Sequence, residues 1–245
     1  MLLWGEIMGT PHKRKLLITG GYGFLGAQLA ACFSKEGYEV FVIDDGSSGQ
    51  PAISLEHCRC HTMQVTDTAC EELFRLNNFD YVIHMAERST AVTDDNYLNN
   101  AETNFLGLAN MMMLSSRYNV RRFYLASTGS VFGDVTGIIK EPTNAEADVI
   151  VGAKPGTLRA VSKRTLEYYA LGWKKVYNLP ITILRFSTIY GPGEKVSHGV
   201  VPELIQHILE KHSAPVVDTV GQTRDFLYVS DAAYAVFRAV NQEFD

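Results

Sequence analysis

At 245 residues and 46% hydrophobic content the chain can bury a full core, and a single α/β domain is an ordinary outcome at this size. The formal net charge of −5 argues against nucleic acid as a main partner. No apolar run is long enough to cross a bilayer, and residues 1–14, with Trp4 but no continuous apolar stretch, do not read as a signal peptide. They are expected to form an irregular or appended extension of a cytoplasmic protein.

Strand patterns are expected at 15–19, 39–43, 60–65, 80–84, 121–126 and 180–186. They alternate with helix patterns at 24–36, 68–77, 97–117, 157–178, 200–211 and 230–241. That alternation predicts an α/β fold, a doubly wound parallel sheet. The first strand, with Leu16-Leu17-Ile18, runs into Gly20-Gly21-Tyr22-Gly23-Phe24-Leu25-Gly26 and then into a helical pattern. Gly20 permits a sharp strand-to-helix turn, Gly23 lets a pyrophosphate approach the backbone, and Gly26 lets the helix lie close to the strand. Unpaired N–H groups at the helix start would face the phosphates. The second strand ends on Asp44-Asp45, where Asp44 can accept hydrogen bonds from a ribose diol. A carboxylate there disfavours a 2′-phosphate, so the pattern points to NAD rather than NADP.

Farther along, Cys58-Arg59-Cys60-His61 offers two thiols and an imidazole, but no second ligand cluster follows at suitable spacing. Together with Cys32 and Cys70 these cysteines are expected to be reduced and structural, with no metal bound. Loops rich in Gly, Pro, Asp and Asn are expected at 46–51, 133–156 and 191–199. The longest, 133–156, is placed to form a lid or a substrate wall.

Three strand ends carry polar or small residues on the side where a cofactor would lie: Asp80 to Ala86, Tyr124 to Gly133, and Leu184 to Gly193. With the glycine loop, they make the chain resemble the extended short-chain dehydrogenase/reductase family, in its NAD-dependent sugar-nucleotide epimerase/dehydratase branch. Gly20-x-x-Gly23-x-x-Gly26 matches the family's cofactor loop, and Asp44 to Gly49 resembles its ribose-binding turn. His84-Met85-Ala86 stands for His-Leu-Ala, and Asn104 for the Asn of the long central helix. Arg185 to Pro192 resembles the Arg-x-x-Asn-x-Tyr-Gly-Pro turn, and Arg224 to Asp231 the family's Arg-Asp-Phe segment.

The resemblance, running from about residue 15 to 242, implies a Rossmann-like NAD-binding domain at 15–180. Residues 181–245 would then form the last core strand and a truncated substrate-binding part, the chain being a fragment or cut down on its substrate side. It implies a cofactor set of Gly20, Gly23, Phe24, Leu25, Gly26, Asp44, Asp45, Ser48, Asp67 (at the adenine), Met85, Ala86 and Lys163. It implies a nucleotide-sugar substrate met by Thr128, Thr188 and Arg224, and a homodimer paired through helices 97–117 and 157–178.

In this family a Ser/Thr, a Tyr and a Lys four residues after the Tyr carry the chemistry. The Tyr moves a proton on a sugar hydroxyl while NAD takes a hydride, and the Lys lowers the Tyr pKa and holds the nicotinamide ribose. Thr128 and Lys163 match the first and last roles, but the Tyr position is occupied by Arg159. Arginine stays protonated and has no acceptor, so it cannot act as a general base. Thr188 replaces the Asn of the Tyr-Gly-Pro turn, Glu87 replaces a second Ala, and Gly129-Ser130 lacks the Asp-Glu pair of dehydratases, which argues against an ordinary 4,6-dehydratase. The residues leave Arg159 open between a surface arginine and an anion contact, and Glu87 open between a substitute base and a solvated carboxylate. Two functions follow: a sugar-nucleotide enzyme using a substitute for the Tyr, or a non-catalytic NAD-binding protein.

Overall fold

The computed structural model describes residues 13–47, 49–88, 97–132, 157–195, 199–211 and 224–242. The N-terminal extension, Ser48 and the expected loop at 133–156 lie wholly or almost wholly outside them.

Six strands, β1 (Lys15–Thr19), β2 (Glu39–Asp44), β3 (Arg59–Thr62), β4 (Tyr81–His84), β5 (Arg122–Thr128) and β6 (Ile181–Phe186), form one parallel sheet in the order β3-β2-β1-β4-β5-β6. This is the doubly wound order, with the strand direction of growth reversing between β1 and β4. Alternating side chains serve the two faces. Leu17, Phe41, Ile43, Val82, Phe123 and Leu125 pack with α2 (Cys70–Asn77), α4 (Gly107–Arg117) and α5 (Leu158–Tyr177). Leu16, Ile18, Val40, Val42, Ile83 and Tyr124 pack with α1 (Phe24–Lys35) and α7 (Val229–Asn241). Strands covered on both faces read as continuous apolar runs, which is why Leu16-Leu17-Ile18 carries no polar alternation. Each fully buried Leu or Phe here, such as Leu29 and Phe33 with no exposed surface, contributes roughly 1.5–3 kcal/mol.

Helix α5 begins at Thr157, whose hydroxyl accepts the Ala160 N–H at 3.2 Å, and ends on Asn178 in the left-handed region (φ 54°). The helix expected over 97–117 is three pieces: α3 (Tyr97–Ala101), a π-helical turn (Glu102–Leu106), and α4. The third strand stops at Thr62 rather than 65, because Gln64–Asp67 forms a turn in which the Asp67 carboxylate accepts the Gln64 N–H at 2.8 Å. Two short strands were not expected: β7 (Thr188–Tyr190) and β8 (Phe226–Tyr228) pair in parallel as a separate two-stranded sheet. Between them in sequence lies α6 (Val200–Lys211).

Helix α7 returns to the face of α1, where the Phe33 and Phe237 rings meet at 5.5 Å and Tyr38 donates its hydroxyl to Asn241 at 2.9 Å. Part of the 181–245 segment, expected on the substrate side, therefore completes the core under the glycine loop. Among the described residues, no helix is long and apolar enough to cross a membrane.

Candidate active site

The site forms where β1, β2, β4 and β5 end on one side of the sheet. Gly20 turns the chain at φ +70°, and its N–H donates to Ile43 at 2.8 Å, tying the turn to β2. A Cβ there would sit 2.7 Å from the Ala86 nitrogen, so only glycine lets the ends of β1 and β4 approach. A Cβ on Gly26 would fall 2.2 Å from the Gly20 carbonyl oxygen, which fixes how closely α1 docks against the turn. Gly23 caps α1 without a side-chain hydrogen bond, so the first-turn N–H groups, Phe24 and Leu25 among them, have no intrahelical acceptor and are open to an anion.

Asp44 is buried, and its two oxygens accept the N–H groups of Tyr22 at 2.9 Å and Gly46 at 2.8 Å. It braces the glycine loop while lining the cleft. Asp45 accepts the Ser47 N–H at 2.9 Å and pairs with Arg88 at 2.6 Å. Burial pushes the Asp45 carboxyl up, but Ser47 and Arg88 together outweigh it and hold it below the usual aspartate value. Gly20, Gly23, Asp44, Asp45, Ser47, Met63, Gln64, Val65, Met85, Ala86, Glu87, Arg88 and Thr103 line one cleft. Asp67, expected at the adenine, is not among its lining residues: it acts one step back, holding the Gln64 turn whose residues line the wall. Ser48 lies outside the described residues.

Of the residues expected to do chemistry, Glu87 lines the cleft, while Thr128, Lys163 and Arg159 are not among its lining residues. The Lys163 ammonium is buried, donates to the Ala126 carbonyl at 2.9 Å and lies 3.1 Å from Glu87 Oε2. The same oxygen pairs with Arg159 at 3.3 Å. Arg159 is half exposed and meets the Glu87 carboxylate, so its position has features of both a surface arginine and an anion contact. Burial pushes the Glu87 carboxyl up, but the charges and hydrogen bonds of Lys163 and Arg159 prevail and hold it below the ordinary glutamate value. His84 is buried against Thr19, Nδ1 to Oγ1 at 2.8 Å, and burial, with Lys163 adding, pushes its imidazole down to about 3. It is neutral at physiological pH and supports the strand end instead of moving protons.

Thr128 ends β5, and its hydroxyl closes a local turn with Ser130 at 3.3 Å, leaving it partly accessible. Its register partner is Phe186, two residues before Thr188. Thr188 donates its N–H to Asp225 at 3.0 Å, which brings exposed Arg224 beside the β7 end. Two features escaped the motif reading. Glu167 is buried, accepts from Ser127 and takes both Arg185 Nε at 3.0 Å and Nη2 at 2.8 Å, fixing β5, β6 and α5 to one another behind Lys163. Arg88 is the other, and its only trace in the sequence is a cation directly after the strand-end Ala86-Glu87.

The model of the NAD-dependent epimerase/dehydratase family matches residues 16–245. The UDP-N-acetyl-alpha-D-glucosaminuronate decarboxylase of Bacillus cytotoxicus is 31% identical over 240 residues, covering 94% of this chain and 72% of the relative. Among solved structures, the UDP-glucose 4-epimerase of Thermotoga maritima with UDP-glucose is 27% identical with a TM-score of 0.82, over 93% of this chain and 73% of that one. The UDP-glucose 4-epimerase of Thermus thermophilus in complex with NAD is 26% identical with a TM-score of 0.77, over 94% and 75%. With the glycine turn, the bracing Asp44 and a family match across nearly the whole length, the chain belongs to the NAD-dependent epimerase/dehydratase family, whose cofactor is NAD.

Proposed function

We propose that this protein binds NAD and a nucleotide sugar and oxidises a sugar hydroxyl transiently, with Glu87 in place of the family tyrosine as proton acceptor. The observation that carries this reading is the contact of Glu87 Oε2 with both Lys163 and Arg159. The lysine that assists tyrosine in the family here assists a carboxylate. The cradle fits the cofactor: Gly20 and Gly26 leave no room for a Cβ, and the uncapped start of α1 suits a diphosphate. Bound NAD would supply the hydride acceptor. Glu87 would take the hydroxyl proton, Lys163 and Arg159 would balance the charge around it, and the Thr128 hydroxyl would steady the substrate oxygen. Thr188 and Arg224 are assigned to the nucleotide sugar, with Arg224 on its diphosphate.

The test is titration with NAD and a panel of nucleotide sugars, following thermal unfolding and product formation by chromatography. The expected result is stabilisation by NAD, turnover of one sugar, and loss of that turnover but not of NAD stabilisation in Glu87→Gln. Because Glu87 is held below its ordinary value, the rate should stay flat from pH 8 down to about pH 5, without the fall near neutrality expected of a tyrosine base. Turnover that survives Glu87→Gln would refute this assignment.

A second reading is favoured by the same two cations, which make Glu87 a weak acceptor: a protein that binds NAD and sugar without turning them over. Binding by both ligands with no product in any pairing would select it.

We also assign a homodimer to the face shared by 97–117 and α5. Leu98, Leu106, Leu158 and Tyr168 are more than half exposed there, and Phe105 meets Tyr169 at 4.7 Å to join the two helices into one surface.

A further inference from the structure

Arg88 follows Glu87 at the end of β4, and no step described above uses it. Its main chain is clamped on both sides by buried Asn104 from the π-helical turn: the Arg88 N–H donates to Oδ1 at 2.8 Å, and the Arg88 carbonyl accepts from Nδ2 at 3.0 Å. The clamp fixes where the side chain starts. From there it crosses the cleft to Asp45, Nη2 to Oδ2 at 2.6 Å, joining the end of β4 to the end of β2. The Nε atom is buried and has no hydrogen-bond partner among the described residues.

Charge decides what such a group is for. Among the described residues lining the cleft, Asp44, Asp45 and Glu87 bring three carboxylates; Lys163 and Arg159 answer Glu87 from outside the lining, and Arg88 is the one cation in the lining itself, left to Asp44 and Asp45. A dinucleotide adds two negative phosphates to that wall. The start of α1 offers about half a positive charge, too little to offset them alone. The Arg88 guanidinium, with 32% of its side chain exposed in the cleft that Gly20 and Gly23 also line, supplies what is missing, and its fork suits a phosphate oxygen while another arm holds a carboxylate.

The geometry points to Arg88 as a diphosphate-binding residue: one arm is held by Asp45, and the Nη donors that Asp45 leaves open serve the diphosphate of NAD. This rests on the NAD reading above and extends it to a residue no motif marks.

The test is calorimetric titration of wild type, Arg88→Ala and Arg88→Lys with adenosine, AMP, ADP and NAD at low salt. Arg88→Ala should weaken ADP and NAD roughly ten- to a hundredfold, the loss of a hydrogen-bonded charge, while leaving adenosine within about twofold. Arg88→Lys should recover part of the loss, since lysine returns the charge without the fork. Asn104 holds the main chain of residue 88, so the variants should stay folded, with Arg88→Ala lowering the midpoint without ligand by about 2–4 °C for the lost Asp45 pair. Equal binding of ADP and NAD by wild type and Arg88→Ala overturns the inference and leaves the NAD reading standing. So does an equal loss for adenosine, which would mean that Arg88 acts through Asp45 or the fold alone. Wild type that binds none of the four probes overturns both.

Discussion

Replacing Glu87 with Gln removes the one carboxylate shared by Lys163 and Arg159 while keeping its shape. Lys163 has 8% of its side chain exposed and Glu87 17%, so this pair behaves as largely buried, whereas Arg159 at 49% is well solvated. Breaking a fully buried pair costs about 3–5 kcal/mol, and an exposed one at most about 1 kcal/mol. Lys163 keeps the Ala126 carbonyl, and glutamine keeps an acceptor oxygen, so the expected loss at pH 7 is about 2 kcal/mol. At this chain length that lowers the melting midpoint by about 4–8 °C. The pH dependence carries the sharper test. Glu87 in the folded protein ionises below the ordinary value of 4.5, so its contribution is fully present above that value. The contribution disappears as pH falls through the folded value, because the protonated carboxyl no longer pairs. Urea unfolding of both proteins from pH 7 to pH 4 should therefore show a gap that is constant near neutrality and narrows on acidification. Other titrating groups are common to both and cancel in the difference. No gap at pH 7, or one that widens with acid, would refute the ion-pair assignment.

Arg159→Tyr places a tyrosine four residues before Lys163 on α5 but leaves Lys163 bound to Glu87. Alone it should give little gain in sugar turnover, while Arg159→Tyr with Glu87→Ala should gain on the order of 10²-fold over the single change, the range of general acid–base catalysis. Equal rates for the single and double variants would show that Glu87 does not sequester the lysine. Leu106, 56% exposed on the proposed dimer face, should tolerate Glu in the fold but not in the pair. Sedimentation velocity should show a dimer for wild type and a monomer for Leu106→Glu at an unchanged melting midpoint, and a monomeric wild type would remove the dimer.

The doubly wound order was legible because its signals are local and periodic. The apolar runs at Leu16 and Val40 need burial on both faces, and the glycines at 20, 23 and 26 answer to a single turn and helix start. The two-stranded sheet of β7 and β8 was not legible: Thr188–Tyr190 and Phe226–Tyr228 are three residues each, too short to show a period, and their pairing joins segments far apart in sequence. Helix α7 was read as a helix, but its docking on α1 depends on Phe33, Tyr38 and Phe237 meeting in space. The resemblance suggested Asp67 for the adenine, and one oxygen of its carboxylate accepts the Gln64 N–H, a contact that no spacing rule records. The ion-pair geometry behaves likewise. Arg159 and Glu87 stand 72 positions apart, and only the fold brings them to one point.

That meeting bears on why these three charges occur together. A Lys four residues after an Arg puts two cations on one face of α5, where like charges destabilise the helix by a few tenths of a kcal/mol in water. Lys163 is buried, so the repulsion and the desolvation of its ammonium both weigh more than in an exposed helix. A single carboxylate oxygen within 3.1 Å of one cation and 3.3 Å of the other removes both difficulties. A small residue at position 87 would leave Arg159 without that anion, and a tyrosine at 159 would leave Glu87 competing for Lys163. Glu87, Arg159 and Lys163 are thus physically one unit, a charge-neutralising clasp in which a single carboxylate serves both cations.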